Sequence, residues 1–580
     1  MVLRARTADA AKNRATAGDV APSRQRAGVL PVAGVLFFAL ILALGVRLYL
    51  IFSAPELLDG DEALVGLQAQ AIATGTEHPL PVFFYGQPYM GSLEAYVAAA
   101  LFRVAGPSVV ALRLSPLSSA LVLVILTYWL ARRTCGRRAA NVAVGLAALP
   151  PLFIGAWSVK ARGGYIEVLA EGEALLLVTH LLLYRADATW GRTDVHRVAA
   201  LAGLWGVLAG LVLWTNPVGL PYIAACALWA LGVAVGRRRG SQPPPERAAA
   251  DARPVFALVG GFLVGGAPLW LDNLSSHGAT FSYMLSGSSN GDGVGAHALP
   301  VAGYFFSAVA PKLTGAWSPW TTLDVAPLGA VVLALYAAAI LLFAVPDRAV
   351  EVVFPRRHDD GRGRGLIFLF ALMTTVLFCV SSFGAGALNP FHWDTASRYA
   401  LPLAGAAPLV AGSFVARLWE KSRAAGSGVL AVLLVAVGLG YATLKPAAVF
   451  QSELWQKAPS SQAPLAAFLE SHNIHDVWLN HWAGYPLMFA TQRKVVAADY
   501  NDVVLHGGAS RLPWTLHAVA ADPHAAYVLV TDEAPPPLAA LLHKRGAKYA
   551  RARVGPYLVF YNLSRTVPPS DVPSGIDFAY

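Results

Sequence analysis

Long apolar blocks separated by short polar loops fill the chain from Val29 to about Leu444, and shorter apolar runs alternate with breakers from there to Tyr580. A membrane-crossing helix needs ~20 mostly apolar residues. The stretch from Val29 to about Phe52 has that length and runs into an acidic loop, so it reads as an uncleaved first span. Further blocks lie near 108–131, 140–157, 166–184, 198–214, 217–236, 254–271, 326–345, 366–384, 399–415 and 428–444. This pattern predicts an α-helical polytopic membrane protein with about eleven transmembrane helices. Asn216-Pro217 divides the 198–236 stretch, because the residue before a proline resists helix.

Residues 445–580 contain no block able to span. Val477-Trp478-Leu479, Val495-Val496, Ala526–Thr531 and Pro556–Tyr561 read as strands, and Pro464–Ser471 and Pro537–Arg545 as amphipathic helices. That alternation predicts a small α/β domain. Residues 1–28 are rich in Ala and Arg, have no apolar period and read as a disordered basic arm.

Composition narrows the class. Hydrophobic residues make up 56% and charged residues 13% of the chain, whereas soluble domains carry about 25% charge. A secreted soluble enzyme, a fibrous protein and a disordered chain are excluded. The net charge of +10 follows from topology rather than from a nucleic acid partner. Basic residues crowd into alternate loops: Arg4–Arg26, Arg132–Arg138, Arg185–Arg197, Arg237–Arg253, Arg348–Arg364 and Arg417–Arg423. The loops between them contain few, namely Arg103, Lys160, Arg162, Lys312 and Arg398. Lys and Arg collect in cytoplasmic loops, so the N-terminus is expected in the cytoplasm. An odd span count then places residues 445–580 outside a plasma (inner) membrane. Cys135, Cys226 and Cys379 form no C-x-x-C pair.

Ionisable residues at or near membrane depth tend to be functional. The first outer loop, 54–107, holds Asp59, Asp61 and Glu62 within four positions. Such neighbours repel one another, and carboxylates facing a cleft can take separate roles, one as a base and one positioning a partner. A competing explanation is that Asp59 or Asp61 caps the helix beginning near Ala63. A second cluster, Lys160-Ala161-Arg162 followed by Tyr165 and Glu167, reads either as a functional site or as an interfacial belt. A third is Ser397-Arg398-Tyr399-Ala400-Leu401-Pro402, preceded by His392 and Asp394. An arginine there has the planar fork suited to gripping a phosphate. No Gly-x-Ser-x-Gly or His-Glu-x-x-His occurs.

The order of the first outer loop is distinctive: an acidic pair after the first span, then Phe83-Phe84-Tyr85-Gly86-Gln87-Pro88-Tyr89-Met90-Gly91, then Glu94 on an amphipathic helix, and Gly106 before the second span. It resembles the first extracytoplasmic loop of the C-type glycosyltransferase superfamily, with protein O-mannosyltransferases and lipid A aminoarabinose transferases as the nearest relatives. Many relatives carry a Lys-Pro-Pro-Leu-like run where this chain has Gln87-Pro88-Tyr89-Met90. The resemblance implies transfer of a sugar from a polyprenyl-phosphate donor to a lipid, glycan or protein acceptor on the outer face. It implies Asp61 as base with Glu62 beside it. Asp59, Tyr85, Gln87, Tyr89, Glu94, Lys160, Arg162, Glu167, Arg398 and Tyr399 are then expected around the substrates. No cofactor is required by the sequence, and a divalent metal is left open. The alternative from another class is a transporter or flippase of polyprenyl-linked glycans.

Overall fold

The computed structural model describes residues 32–185, 195–239, 252–286, 295–321, 325–345, 363–388, 395–450, 461–500, 503, 510–530, 536–565 and 567. The basic arm, most of the Arg237–Arg253 loop, and His392 and Asp394 lie outside the described residues.

Among the described residues, six helices are long and apolar enough to cross a membrane: Val32–Ser53, Val109–Thr134, Val195–Thr215, Pro217–Val235, Ala326–Ala344 and Arg423–Ala442. The pair Arg253–Gly265 and Ala267–Ser275, bent by 66°, makes a seventh if counted as one span. About eleven were expected from the apolar blocks. The remaining blocks do form helices, but shorter or more polar ones. Pro150-Pro151 splits block 140–157 into Arg137–Ala148 and Leu152–Trp157. Tyr165–His180 carries Glu167, Glu171 and Glu173 in 16 residues. Arg364–Val380 has 17 residues, and Leu403–Lys421 ends in Arg417, Glu420 and Lys421. The chain is a multi-pass membrane protein whose bundle mixes full spans with shorter buried helices.

Helices in lipid gain little from apolar surface alone and associate through close backbone approach at small residues. Val195–Thr215 and Arg253–Gly265 pack in this way. A Cβ on Gly206 would strike the Leu258 carbonyl, and one on Gly265 would strike that of Val207. Gly206→Leu is therefore expected to separate the pair and lower the yield of folded protein, read by size-exclusion profile in detergent. Gly232 faces open space, so Gly232→Leu should leave the profile unchanged.

The C-terminal segment forms a five-stranded sheet from β3 (Asp476–Trp478), β4 (Val496–Ala498), β5 (Ala526–Val530), β6 (Ala550–Val554) and β7 (Tyr557–Tyr561), in the order β4-β3-β5-β7-β6. β3 pairs parallel with β4 and β5, whereas β7 pairs antiparallel with β5 and β6. Every residue of β5 is buried, as expected of a central strand covered on both faces. The helix Ala463–Ser471 leads into the first of these strands, and His481–Ala490, Pro513–Ala521 and Pro536–Lys544 connect those that follow.

This unit is not a separate bead. Helix His481–Ala490 lies on Gly60–Thr74 of the first outer loop, and the two share one apolar core. A Cβ on Gly66 would sit 2.6 Å from the Phe489 ring. Gln70 Nε2 donates to the Phe489 carbonyl (3.2 Å), and Arg493 Nη2 donates to that of Leu67 (2.9 Å). The acidic loop is thereby clamped between the membrane bundle and the C-terminal unit.

Candidate active site

Asp59 begins the site. Its backbone is extended (φ −88°, ψ 168°), and Oδ1 accepts from the Glu62 N–H at 3.0 Å, which caps the helix Gly60–Thr74. Gly75 (φ 70°) closes the other end, where the left-handed backbone suits glycine. The same Asp59 carboxylate takes Arg162 Nη2 at 2.7 Å and Nε at 3.0 Å. Capping thus falls to Asp59, not to Asp61.

Glu62 is fully buried, and both of its oxygens are held by Arg113, with Nε to Oε1 at 3.1 Å and Nη2 to Oε2 at 2.9 Å. Arg113 also donates to the carbonyls of Ala54 and Leu57 and lies 3.6 Å from the Phe450 ring centroid. A bidentate pair of this kind fixes orientation strongly. It ties the start of the second span to the acidic loop and leaves Glu62 no oxygen facing the cleft.

Asp61 is different. It is only partly exposed, and among the described residues no hydrogen bond or ion pair holds its carboxylate. Burial pushes its carboxyl up, but Arg162, Arg511, His481 and Arg398 overbalance that effect and hold it below the ordinary aspartate range. Asp61 is therefore ionised at neutral pH and open to a second reactant.

Cations dominate the surroundings. Lys160 Nζ, Arg162 Cζ and Arg398 Cζ stand 5.4, 5.5 and 6.0 Å from the ring of Trp157, within reach of cation–π attraction. Arg398 Nε donates to Tyr165 Oη (2.9 Å) and Nη2 to Tyr399 Oη (3.0 Å), so two tyrosines aim its fork. Lys312, fully buried, donates to Ser397 Oγ at 3.1 Å. Arg511 comes from the C-terminal unit. With its amide oxygen turned toward this guanidinium, Gln87 accepts from Nη2 at 2.7 Å and donates to Tyr89 Oη at 2.6 Å. Gly86 (φ 68°) allows the turn between β1 (Phe83–Phe84) and β2 (Gln87–Gly91) to lie on Arg511, whose Cα is 2.9 Å from where a Cβ would stand. Tyr89 stacks on Tyr283 at 5.1 Å.

Other expected residues occupy supporting positions. Glu94 is buried, and its Oε2 accepts from the N–H groups of Gly163 (2.6 Å) and Gly164 (3.1 Å), shaping the turn that presents Arg162. Burial and then the neighbouring Glu167 push the Glu94 carboxyl up, partly offset by those N–H groups. Glu167 is buried on Tyr165–His180. Tyr85 donates to Glu77 Oε2 at 2.6 Å. Asp59, Asp61, Gln87, Tyr89, Arg162, Arg398 and Tyr399 are thus brought together with Lys160, while Glu62, Glu94 and Glu167 lie behind them.

Several residues were missed by sequence reasoning. Arg113 carried a signal, since a lone arginine inside an apolar block is costly unless paired. Glu171 and Glu173 are buried within the bundle, bonded to Thr215 (3.0 Å) and Thr127 (2.9 Å). His481, Asp499 and Arg511 had no local signal at all. Among the described residues, no three His, Cys, Asp or Glu side chains group together in a way that holds a metal ion. A groove of about 950 Å³ lined by Arg138, Trp419 and Arg423 lies at the far end of the bundle, beyond the end of Val109–Thr134 remote from Arg113.

No family model matches this chain, and no curated protein matches it in sequence. Solved structures do. The aminoarabinose transferase ArnT from Cupriavidus metallidurans bound to undecaprenyl phosphate superposes with a TM-score of 0.57 at 14% identity, over 92% of this chain and 99% of that one. The same protein in the apo state gives 0.55 at 15% identity, over 91% and 98%. The chain shares the fold of ArnT. The archaeal oligosaccharyltransferase AglB from Archaeoglobus fulgidus, solved with an inhibitory peptide and a dolichol-phosphate, also matches, at 0.47 and 12% identity over 94% and 75%. The likeness to ArnT covers the membrane bundle and the C-terminal unit alike, since nearly the whole of both chains takes part.

Proposed function

We propose that this protein is a membrane glycosyltransferase that moves a sugar from a polyprenyl-phosphate donor to a hydroxyl-bearing acceptor on the outer face, with Asp61 as base. One observation carries the reading. Of three neighbouring carboxylates, Asp59 and Glu62 are each committed to an arginine, and Asp61, partly exposed, is left ionised among cations. A carboxylate in that state can take a proton from an acceptor. The positive charge of Lys160, Arg162, Arg398 and Arg511 suits the developing charge on a departing lipid phosphate. Attack opposite the leaving group in one step inverts the anomeric centre. Asp59 and Glu62 are positioning residues here, Asp59 aiming Arg162 and Glu62 anchoring the loop to Arg113. The undecaprenyl phosphate bound by ArnT makes that lipid the first donor carrier to try.

With synthetic undecaprenyl-phosphoryl sugars and isolated envelope membranes as acceptor, the purified protein should release undecaprenyl phosphate from at least one sugar. Release from none of a panel of hexosyl, pentosyl and aminopentosyl donors would contradict the reading. Arg398→Lys keeps the charge but loses the fork aimed by Tyr165 and Tyr399. One charge-assisted hydrogen bond contributes about 1.5–3 kcal/mol, so donor KM should rise roughly 10- to 100-fold while kcat changes less. An unchanged donor KM would remove Arg398 from the phosphate grip.

The orientation follows from the basic loops. A reporter fused after Tyr580 should read as extracytoplasmic and one inserted within residues 240–251 as cytoplasmic. The reverse pair of readings would put the site on the wrong side for a lipid-borne donor.

A further inference from the structure

Asp61 poses a chemical problem that the C-terminal unit is placed to solve. A carboxylate held low by Arg162, Arg511 and Arg398 gives up a proton readily, so the acceptor's proton needs a second stop before the next turnover. His481 begins the helix His481–Ala490, whose cap Asn480 accepts from the Ala483 N–H at 3.2 Å. Its Nδ1 stands 3.3 Å from Oδ2 of Asp499, a nearly buried carboxylate just past β4. Its ring stacks on Tyr485 with centroids 5.7 Å apart and planes at 21°. The opposite edge of the ring lies against the acidic loop. A Cβ on Gly60, the residue immediately before Asp61, would be 2.9 Å from His481 Cδ2. Only glycine admits that approach. A carboxylate on Nδ1 fixes the tautomer and leaves the other nitrogen as the proton acceptor, and Nε2 is the ring atom next to Cδ2. The side chain is 25% exposed, which gives it a route to water.

We infer that the His481–Asp499 pair is the proton outlet of the site, so that the C-terminal unit completes the transferase. The inference rests on Asp61 as base. As the acceptor oxygen bonds to the anomeric carbon, its proton passes to Asp61, and the carbon–oxygen bond to phosphate breaks with its electron pair leaving on the lipid phosphate. Asp61 then hands the proton to Nε2, the imidazolium is stabilised by Asp499, and the proton is released to water. The charged and titratable groups facing His481 are Asp499 from the end of β4, Asp61 from Gly60–Thr74 and Tyr485 from its own helix, with Arg162, Arg398 and Arg511 gathered around Asp61. His481 is a positioning and relay residue, acting through Asp61.

The test uses the full-length protein in lipid nanodiscs, with the undecaprenyl-phosphoryl sugar that the wild type turns over and envelope membranes as acceptor. His481→Gln should fold, shown by an unchanged melting curve, and lower kcat by about 10²-fold, the lower end for a positioned proton-transfer group, with donor KM unchanged. The pH profile of the rate should differ between wild type and His481→Gln, because a relay group takes part in it. His481→Ala should be restored in part by millimolar imidazole, an effect that a packing role would not produce. Asp499→Asn should lower kcat to a lesser degree. A wild-type rate and pH profile in His481→Gln would overturn the inference, as would a dead His481→Ala that imidazole does not revive. Asp61→Asn separates the two readings, since it should be inactive at every pH with or without imidazole. An inactive Asp61→Asn beside a normal His481→Gln would sink only the relay, whereas an active Asp61→Asn would sink the base assignment itself.

Discussion

Asp61→Asn is expected to accumulate, insert and melt like the wild type, and to transfer almost no sugar. Asn has the size of Asp and removes only the charge and the capacity to take a proton. The helix cap does not depend on it, because Asp59 accepts the Glu62 N–H. No described ion pair is broken either, since Arg162 is paired with Asp59 and Arg113 with Glu62. Loss of a positioned base costs about 10²–10⁴-fold in rate, and that loss should appear in kcat rather than in donor KM. Asp59→Asn and Glu62→Gln should behave differently from Asp61→Asn, because each strips charge from a buried arginine pair and should reduce protein amount together with activity. Equal activity of Asp61→Asn and wild type, measured as undecaprenyl phosphate released per folded molecule, would move the base elsewhere.

The largest loss of stability should come from Arg113→Ala. Glu62 and Arg113 are both fully buried, and removing one member of such a pair leaves an uncompensated charge, a cost of about 3–5 kcal/mol. Arg113→Ala also frees the Ala54 and Leu57 carbonyls that the guanidinium bonds and uncovers the Phe450 ring. The expected result is a melting temperature well below the wild type and little protein surviving detergent extraction. Because a buried ion pair can be replaced as a whole by apolar groups at small cost, Arg113→Met combined with Glu62→Leu should recover much of the yield. The double variant should still transfer poorly, since the loop bearing Asp61 loses its anchor. A double variant no more stable than Arg113→Ala would show that the pair is not what holds the loop to the second span.

Much of this arrangement was legible in the sequence for physical reasons, and the rest was hidden for physical reasons too. Apolar blocks give membrane helices reliably because lipid leaves the backbone no alternative. Whether such a block lies in lipid or is buried in protein is less legible, as in Tyr165–His180 with its three glutamates. The acidic loop stood out because neighbouring carboxylates repel. Which of them stays open depends on Arg113 and Arg162, 51 and 103 residues downstream of their partners, and spacing along the chain says nothing of that. Arg398 stood out because a planar, charged fork at the outer end of a span suits a phosphate, and the partners that aim it, Tyr165 and Tyr399, appear only in the fold. His481, Asp499 and Arg511 were silent, as single polar residues in a segment whose pattern speaks only of strands and helices. They matter because the fold lays helix His481–Ala490 on the loop of Asp61, a contact visible only once Gly60 and Gly66 are seen to make room for it.

The most direct test of the central claim is mass spectrometry of envelope lipids and glycans from cells lacking this protein, complemented with the wild type or with Asp61→Asn. The account predicts that the deletion strain lacks one sugar on an envelope acceptor and accumulates the corresponding polyprenyl-phosphate sugar. The wild-type gene should reverse both changes and the Asp61→Asn gene neither, although both proteins reach the membrane in equal amount. An envelope glycan and lipid profile that is identical in all of these strains, or fully restored by Asp61→Asn, would contradict it.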